Sequence, residues 1–182
     1  AGSDSVLYNM RRGYSRDQYL DKIEQIRGVI PNVSLSTDVI VGFCGESDKD
    51  FNETLDIIKS VRFDKVHAAV YSNRPGTIAA RKFDNDVPDD VKKDRFIALE
   101  NLQKQISAEI NEGYMNSVQG VLVEEVGNYK AKGRSRNDKI VHFEGSEDLT
   151  GKVVQVKIEK TGPWSLQGKM VRKAELLLPV ES

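Results

Sequence analysis

Between Arg16 and Ile30 the apolar residues recur at helical intervals. Tyr19, Leu20, Ile23, Ile26 and Ile30 fall on one face. Ser15 with Gln18 three residues on has the form of a capping box, and Pro31-Asn32 closes the segment, so the pattern predicts a helix over 16–30. The spacing then changes. Residues 33–43 (VSLSTDVIVGF) predict a strand whose unbroken Val39-Ile40-Val41 run suits burial on both faces. The two steps repeat: Ser47 and Asp50 cap a second helix bearing Phe51, Leu55, Ile58 and Val61, and residues 65–71 (KVHAAVY) predict a second buried strand. Helix–strand–helix–strand with short links is the rhythm of parallel β/α units joined by right-handed crossovers. A loop over 72–86 follows. Pro88 then stands where a first helical turn accepts it, and Leu99, Leu102, Ile106 and Ile110 carry a long helix to about residue 112.

Near Gly113 the period shortens to two. VLVEEV (121–126), KIVHF (139–143), VVQVKIEK (153–160) and a run around Ser165–Val171 alternate apolar and polar residues between Gly and Asn punctuation, which predicts a small antiparallel barrel. Two domains are therefore expected. An α/β domain covers 1–112, a β module covers 113–176, and 177–182 form a tail, with the long helix as the hinge.

Composition changes this picture little. The chain has 182 residues, 38% hydrophobic and 30% charged, with a formal net charge of −1. That is ordinary for a globular protein, and no apolar run approaches a membrane span. Residues 1–112 carry 16 basic and 19 acidic side chains, residues 113–182 carry 11 and 9, so any basic surface belongs to the β module. Cys44 is the one cysteine, which excludes a disulfide framework and any iron–sulfur cluster held by several thiolates of this chain; the cytosol is the expected compartment. Ala1-Gly2-Ser3-Asp4 runs straight into structured-looking sequence with no initiator Met, so sequence upstream is expected.

Candidate chemistry collects at the C-terminal ends of the two parallel strands, where loops and helix N-termini converge in α/β sheets. The first strand leads into Gly42-Phe43-Cys44-Gly45-Glu46 and the second into Tyr71-Ser72-Asn73-Arg74-Pro75-Gly76-Thr77; neither is a phosphate loop, and the glycines read equally as turn residues. Asp38 sits within an apolar run, where a carboxylate needs a cation or hydrogen-bond donors, supplied either by a ligand's hydroxyls or by a neighbouring loop. Arg12 could grip a carboxylate through both guanidinium nitrogens, or stand as a surface arginine. Cys44, His67 and His142 lack sequence partners for catalysis. In the β module Lys130, Lys132, Arg134, Arg136 and Lys139 place five cations in ten residues, with Ser135 and Asn137 among them; Lys157, Lys160 and Trp164 follow. The run suits phosphate contacts with one stacking surface, or a solvated hairpin.

Taken together, AGSD (1–4), MRRGYSR (10–16), LSTDVIVGFCGES (35–47), YSNRPGT (71–77) and VPDDVKKDR (87–95) resemble the tRNA methylthiotransferase family of radical S-adenosylmethionine enzymes. GRSRNDKIVHF (133–143) and GPWSLQG (162–168) resemble its C-terminal TRAM domain. Within the family, YSNRPGT and GRSRN are most similar to enzymes that act on N6-isopentenyladenosine beside the anticodon, and less similar to those acting on threonylcarbamoyladenosine or a ribosomal protein. The resemblance implies the C-terminal part of a partial TIM-type barrel that holds S-adenosylmethionine at its strand ends, followed by an OB-like TRAM barrel. By position, Arg12 would meet the methionine carboxylate and Asp38 the ribose, while Ile40, Phe43, Tyr71 and Ser72 would flank the adenine. Lys132, Arg134, Arg136, Asn137, Lys139 and Trp164 would hold the tRNA anticodon stem-loop. The family's cluster cysteines and its N-terminal domain would lie upstream, so the two [4Fe–4S] clusters belong to the intact parent. Neither catalytic residues nor metal ligands are expected in this chain, which should bind RNA and part of the cofactor without turnover. Cys44 stands where proline is common in the family. The rival expectation is a stand-alone RNA-binding module with a closed domain over 1–112; the family instead implies exposed strand edges there.

Overall fold

The computed structural model describes residues 1–171. The end of the β module at 176 and the tail 177–182 lie outside the described residues. The chain forms two compact units, Ala1–Ile106 and a second beginning at Ser107. No helix among the described residues is long and apolar enough to cross a membrane.

The first unit opens with helix α1 (Asp4–Asn9), which the hydrophobic pattern is too short to reveal; Ser3 caps it, accepting from the Val6 N–H. Helix α2 (Arg16–Val29) starts on the complete Ser15/Gln18 capping box. Strand β1 (Ser36–Val41) follows, then helix α3 (Asp48–Val61), whose Ser47/Asp50 box is also complete. Strand β2 (Lys65–Val70) pairs with β1 in parallel, with Asp38 opposite His67 and Ile40 opposite Ala69. A short helix α4 (Ile78–Lys82), capped by Thr77, occupies the expected loop, and helix α5 (Asp89–Glu112) closes the unit and runs beyond it. The unit boundary falls inside α5 because its last turn serves the second unit: the Asn111 amide donates to the carbonyls of Gly162 (2.7 Å) and Pro163 (3.3 Å).

Neither strand is buried on both faces, contrary to the expectation from their apolar runs. Val39, Val41 and Val66 are buried, whereas Ser36, Asp38, Lys65, His67 and Ala69 on the opposite face are exposed. Side chains alternate across a strand, and the helices of this unit cover one face only. The two-stranded sheet also keeps an unpaired edge on each side among the described residues.

The second unit is a closed barrel of five strands in the order β3-β4-β5-β7-β6. They are β3 (Val118–Gly127), β4 (Lys130–Ser135), β5 (Ile140–Glu144), β6 (Val153–Thr161) and β7 (Leu166–Met170). Val121, Val123, Ala131, Val141, Phe143, Val156, Ile158 and Leu166 fill it. Two features depart from the sequence expectation. The first part of the basic run is itself a strand, β4, in which Ala131, Gly133 and Ser135 point inward while Lys130, Lys132 and Arg134 alternate outward. And the barrel is not wholly antiparallel: β5 and β7 pair in parallel.

Candidate functional site

Beyond the ends of β1 and β2 lies a groove of about 270 Å³, whose lining includes Ile40, Ala69, Tyr71, Ser72, Arg74 and Thr77. Ile40, Tyr71 and Ser72 thus line one groove. Asp38 stands two residues before Ile40 on the same open face, about 7 Å along the strand. It is exposed, not sunk in an apolar core, so its carboxylate needs no internal cation. Phe43 does not reach the groove. It is 6% exposed and packs with Val6 and Cys44, its ring edge-on to Tyr71 at 4.9 Å and to Phe83 at 6.1 Å. Arg12 is exposed beyond α1, and its N–H donates to the Leu7 carbonyl; Arg11, next to it, takes a left-handed φ of 57°. Cys44 is buried in the same cluster as Phe43. Burial and the neighbouring Cys44 thiol raise the Tyr71 hydroxyl above the ordinary tyrosine pKa.

Beneath these loops is a layer of buried charge that the hydrophobic pattern concealed. Glu46 accepts the Gly42 N–H at 2.8 Å and pairs with Arg95 at 2.9 Å; Arg95 also reaches the Glu46 carbonyl (3.0 Å) and Asp48 (2.7 Å). Burial pushes the Glu46 carboxyl up, against the Gly42 hydrogen bond and the Arg95 charge. Lys92, 2% exposed, donates to Asn85 (2.8 Å) and Asp89 (3.1 Å) and holds its ammonium 5.9 Å from the centre of the Tyr71 ring. Its stem fills the space over Gly42, where a Cβ would meet Lys92 Cγ at 2.3 Å. These contacts fix the turn after β1 and the start of the turn after β2. The available signal was spacing: Lys92, Arg95, Leu99, Gln103 and Ile106 form the buried stripe of α5, three of them polar and so discounted by an apolar count.

In the barrel the expected RNA contacts separate into two groups. Lys139 is buried, 5.9 Å from the centre of the Tyr114 ring, and the Asn137 amide donates to the Tyr114 hydroxyl at 3.0 Å, so both serve the internal structure of the turn. Arg134 is held by Asp138 (2.7 Å) and Glu124 (3.1 Å), which raise its pKa, Asp138 contributing most. Lys132 faces Glu125 at 3.6 Å. Arg136 and Trp164 stand exposed, Trp164 at 54%.

Comparison with known proteins supplies the context for this geometry. The TRAM domain family matches residues 112–171, which covers the whole barrel. Over 94% of its length the chain is similar to curated proteins named tRNA-2-methylthio-N(6)-dimethylallyladenosine synthase: 44% identical to that of Aquifex aeolicus, 45% to that of Acetivibrio thermocellus and 48% to that of Herpetosiphon aurantiacus. The chain belongs to the tRNA methylthiotransferase family. It spans 39%, 36% and 40% of those three relatives and corresponds to their C-terminal, TRAM-bearing part.

A methylthiotransferase implies S-adenosylmethionine and iron–sulfur clusters, and the two fare differently against these residues. The open face of β1 and β2 fits a nucleoside: Asp38 offers an exposed acceptor, and the adjoining groove is lined by apolar Ile40 and Ala69 and by Tyr71-Ser72. Cluster ligands do not fit. Among the described residues no group of three or more His, Cys, Asp and Glu is placed to hold a metal ion.

Proposed function

We propose that this chain is the cofactor-facing and RNA-holding part of an enzyme that converts N6-isopentenyladenosine-37 of tRNA to its 2-methylthio derivative. The observation that carries this is similarity spread over both units at once, 44–48% identity across 94% of the chain, to synthases named for that product. The open sheet of the first unit supports it: two unpaired edges and an uncovered face are what the C-terminal segment of a partial TIM-type barrel presents to the strands before it. When bound, S-adenosylmethionine supplies the radical that activates the base and the methyl group that caps the sulfur. Asp38 accepts from the ribose hydroxyls, Ile40 and the Tyr71-Ser72 turn flank the adenine, and Arg12 meets the methionine carboxylate. Phe43 acts from behind the turn by packing Tyr71. Both [4Fe–4S] clusters are held by the upstream portion of the same enzyme, and the protein works in the cytosol. In the barrel Lys132, Arg134, Arg136 and Trp164 face the anticodon stem-loop, while Asn137 and Lys139 shape the turn that carries them.

The test is binding of an anticodon stem-loop with isopentenyladenosine, by fluorescence anisotropy across a salt series. The chain is expected to bind with an affinity that falls as salt rises, and Arg136→Ala to weaken binding and flatten the slope by about one phosphate contact. No binding at low salt would remove the RNA assignment. The same preparation with S-adenosylmethionine and a reductant is expected to form no 5′-deoxyadenosine; its appearance by chromatography would place the redox chemistry in this chain.

A further inference from the structure

The strands β5 and β7 share only two register pairs, Val141 with Leu166 and His142 with Gln167, although β5 runs on to Glu144 and β7 to Met170. Where the ladder stops, the facing backbones of the two strands lack a ladder partner. There the barrel wall opens into a groove of about 540 Å³, twice the volume of the groove beside Ile40, with Phe143 and Gly168 among its lining. Its polar lining includes Lys130, His142, Lys160, Gln167 and Lys169. An exposed aromatic residue adjoins each end. Trp164, 54% exposed, precedes Ser165, which lines one end. Tyr129, 80% exposed, precedes Lys130 at the other. Asn128 and Tyr129 both take left-handed φ values, 51° and 61°, so the β3–β4 hairpin holds a bulky ring at a position that ordinarily favours Gly or Asn.

We propose that this groove is a subsite for single-stranded RNA, taking a few unpaired nucleotides between Trp164 and Tyr129. The assignment rests on the RNA-binding role of the barrel and adds the β5–β7 opening to the surface that carries Arg136. From Ser165 to Lys169 the strand covers about 13 Å, which suits a few splayed nucleotides and is too short for a turn of duplex. Exposed rings beside a groove with unpaired backbone groups suit stacking plus hydrogen bonding to bases, the mode small β barrels use on single strands. Charge adds less. Lys169 pairs with Glu159 at 3.3 Å, and Lys130 lies opposite Glu144 in register. Lys130 and Lys160, the latter at the β6 bulge between Ile158 and Lys160, form no ion pair among the described residues. Stacking therefore outweighs phosphate contacts here, in contrast to a cationic duplex-binding face.

Trp164 is the single tryptophan of the chain and reports on the groove directly. The 182-residue chain is titrated with an unstructured oligoribonucleotide, with a blunt RNA duplex and with the anticodon stem-loop, following Trp164 emission and probe anisotropy. The single strand is expected to quench Trp164, with a log–log salt slope of about −0.7 to −1.4, the values for one and two phosphate contacts on a single strand. The duplex is expected to leave the emission unchanged. Tyr129→Asn keeps a residue that tolerates left-handed backbone and removes the ring; it should weaken single-strand binding about tenfold, the lower range of one stacking contact. Lys160→Gln should flatten the salt slope, with circular dichroism confirming that each variant is folded. Equal quenching by duplex and single strand would overturn the assignment. So would unaltered single-strand binding by folded Tyr129→Asn and Lys160→Gln while the stem-loop still binds, and in both cases the RNA role of the barrel would stand. Failure of every RNA to bind would remove that role and the groove with it.

Discussion

At the scale of single residues, Asp50 shows how much one carboxylate can organise. It accepts from the hydroxyls of Ser3 (2.5 Å), Ser5 (2.6 Å) and Ser47 (2.5 Å) and from the Ser47 N–H (2.9 Å), so the capping box of α3 also ties down the start of α1. Partial burial raises the carboxyl, but the hydrogen bonds from Ser3, Ser47 and Ser5 outweigh it and hold Asp50 well below the ordinary carboxylate range. A depressed folded pKa gives stability that is present above the unfolded value of about 3.9 and is lost as pH falls toward the folded one. Asp50→Asn should therefore cost about 1 kcal/mol at pH 7. The deficit should shrink as pH falls below about 4, because the unfolded wild-type chain then takes up a proton that the folded Asp50 carboxylate does not. Urea denaturation at neutral and acid pH reads this difference; an equal deficit at both would show that the charge on Asp50 contributes nothing.

Among elements, β4 is held close to the strand beside it. A Cβ at Gly133 would lie 2.2 Å from the Leu122 carbonyl oxygen, and β3 is bulged next to that contact, between Val123 and Glu125. The close approach lets the strand carry Lys132 and Arg134 outward while Ala131 and Ser135 turn in. Backbone cannot yield here as a flexible side chain would, so Gly133→Ala is expected to cost about 3 kcal/mol. Gly127, where an added Cβ meets nothing within 4 Å, is the matched control. Gly127→Ala should fall within about 0.5 kcal/mol of wild type. Thermal melts of the two variants test the pair, and similar melting temperatures would contradict the close-approach argument.

At the scale of the whole molecule, the two units differ in how their sheets end. A closed barrel satisfies its strands by circular pairing, apart from the β5–β7 opening, whereas the two-stranded parallel sheet leaves an edge on each side. Backbone groups at such edges reach water directly and open without global unfolding. Hydrogen–deuterium exchange followed by mass spectrometry should find amides of β1 and β2 exchanged while β3, β4 and β6 remain protected. Uniform protection in both units would mean that the sheet of the first unit is covered by something other than its own helices. An uncovered sheet is also what an enzyme segment needs if its remaining strands come from the rest of the same protein.

Local chemistry was legible in the sequence. Ser15/Gln18 and Ser47/Asp50 start their helices where the capping pattern places them, and the shift from helical to alternating periodicity near Gly113 marks the change from α5 to the barrel. These depend on neighbours a few residues apart, which a sequence displays. Contacts between distant residues decided the rest. Val39-Ile40-Val41 reads as fully buried, yet its exposed face follows from what packs on the sheet and what does not. Lys139 and Asn137 read as RNA contacts until Tyr114, more than twenty residues earlier, is brought beside them. Lys92 and Arg95 gain their partners only where Glu46 and Tyr71 meet them across the first unit. The β5–β7 groove exists only because two strands separated by a third run parallel and then cease to pair. Capping and periodicity are properties of a chain segment; burial, ion pairing and grooves are properties of the packing between segments, and only the tertiary structure assigns them.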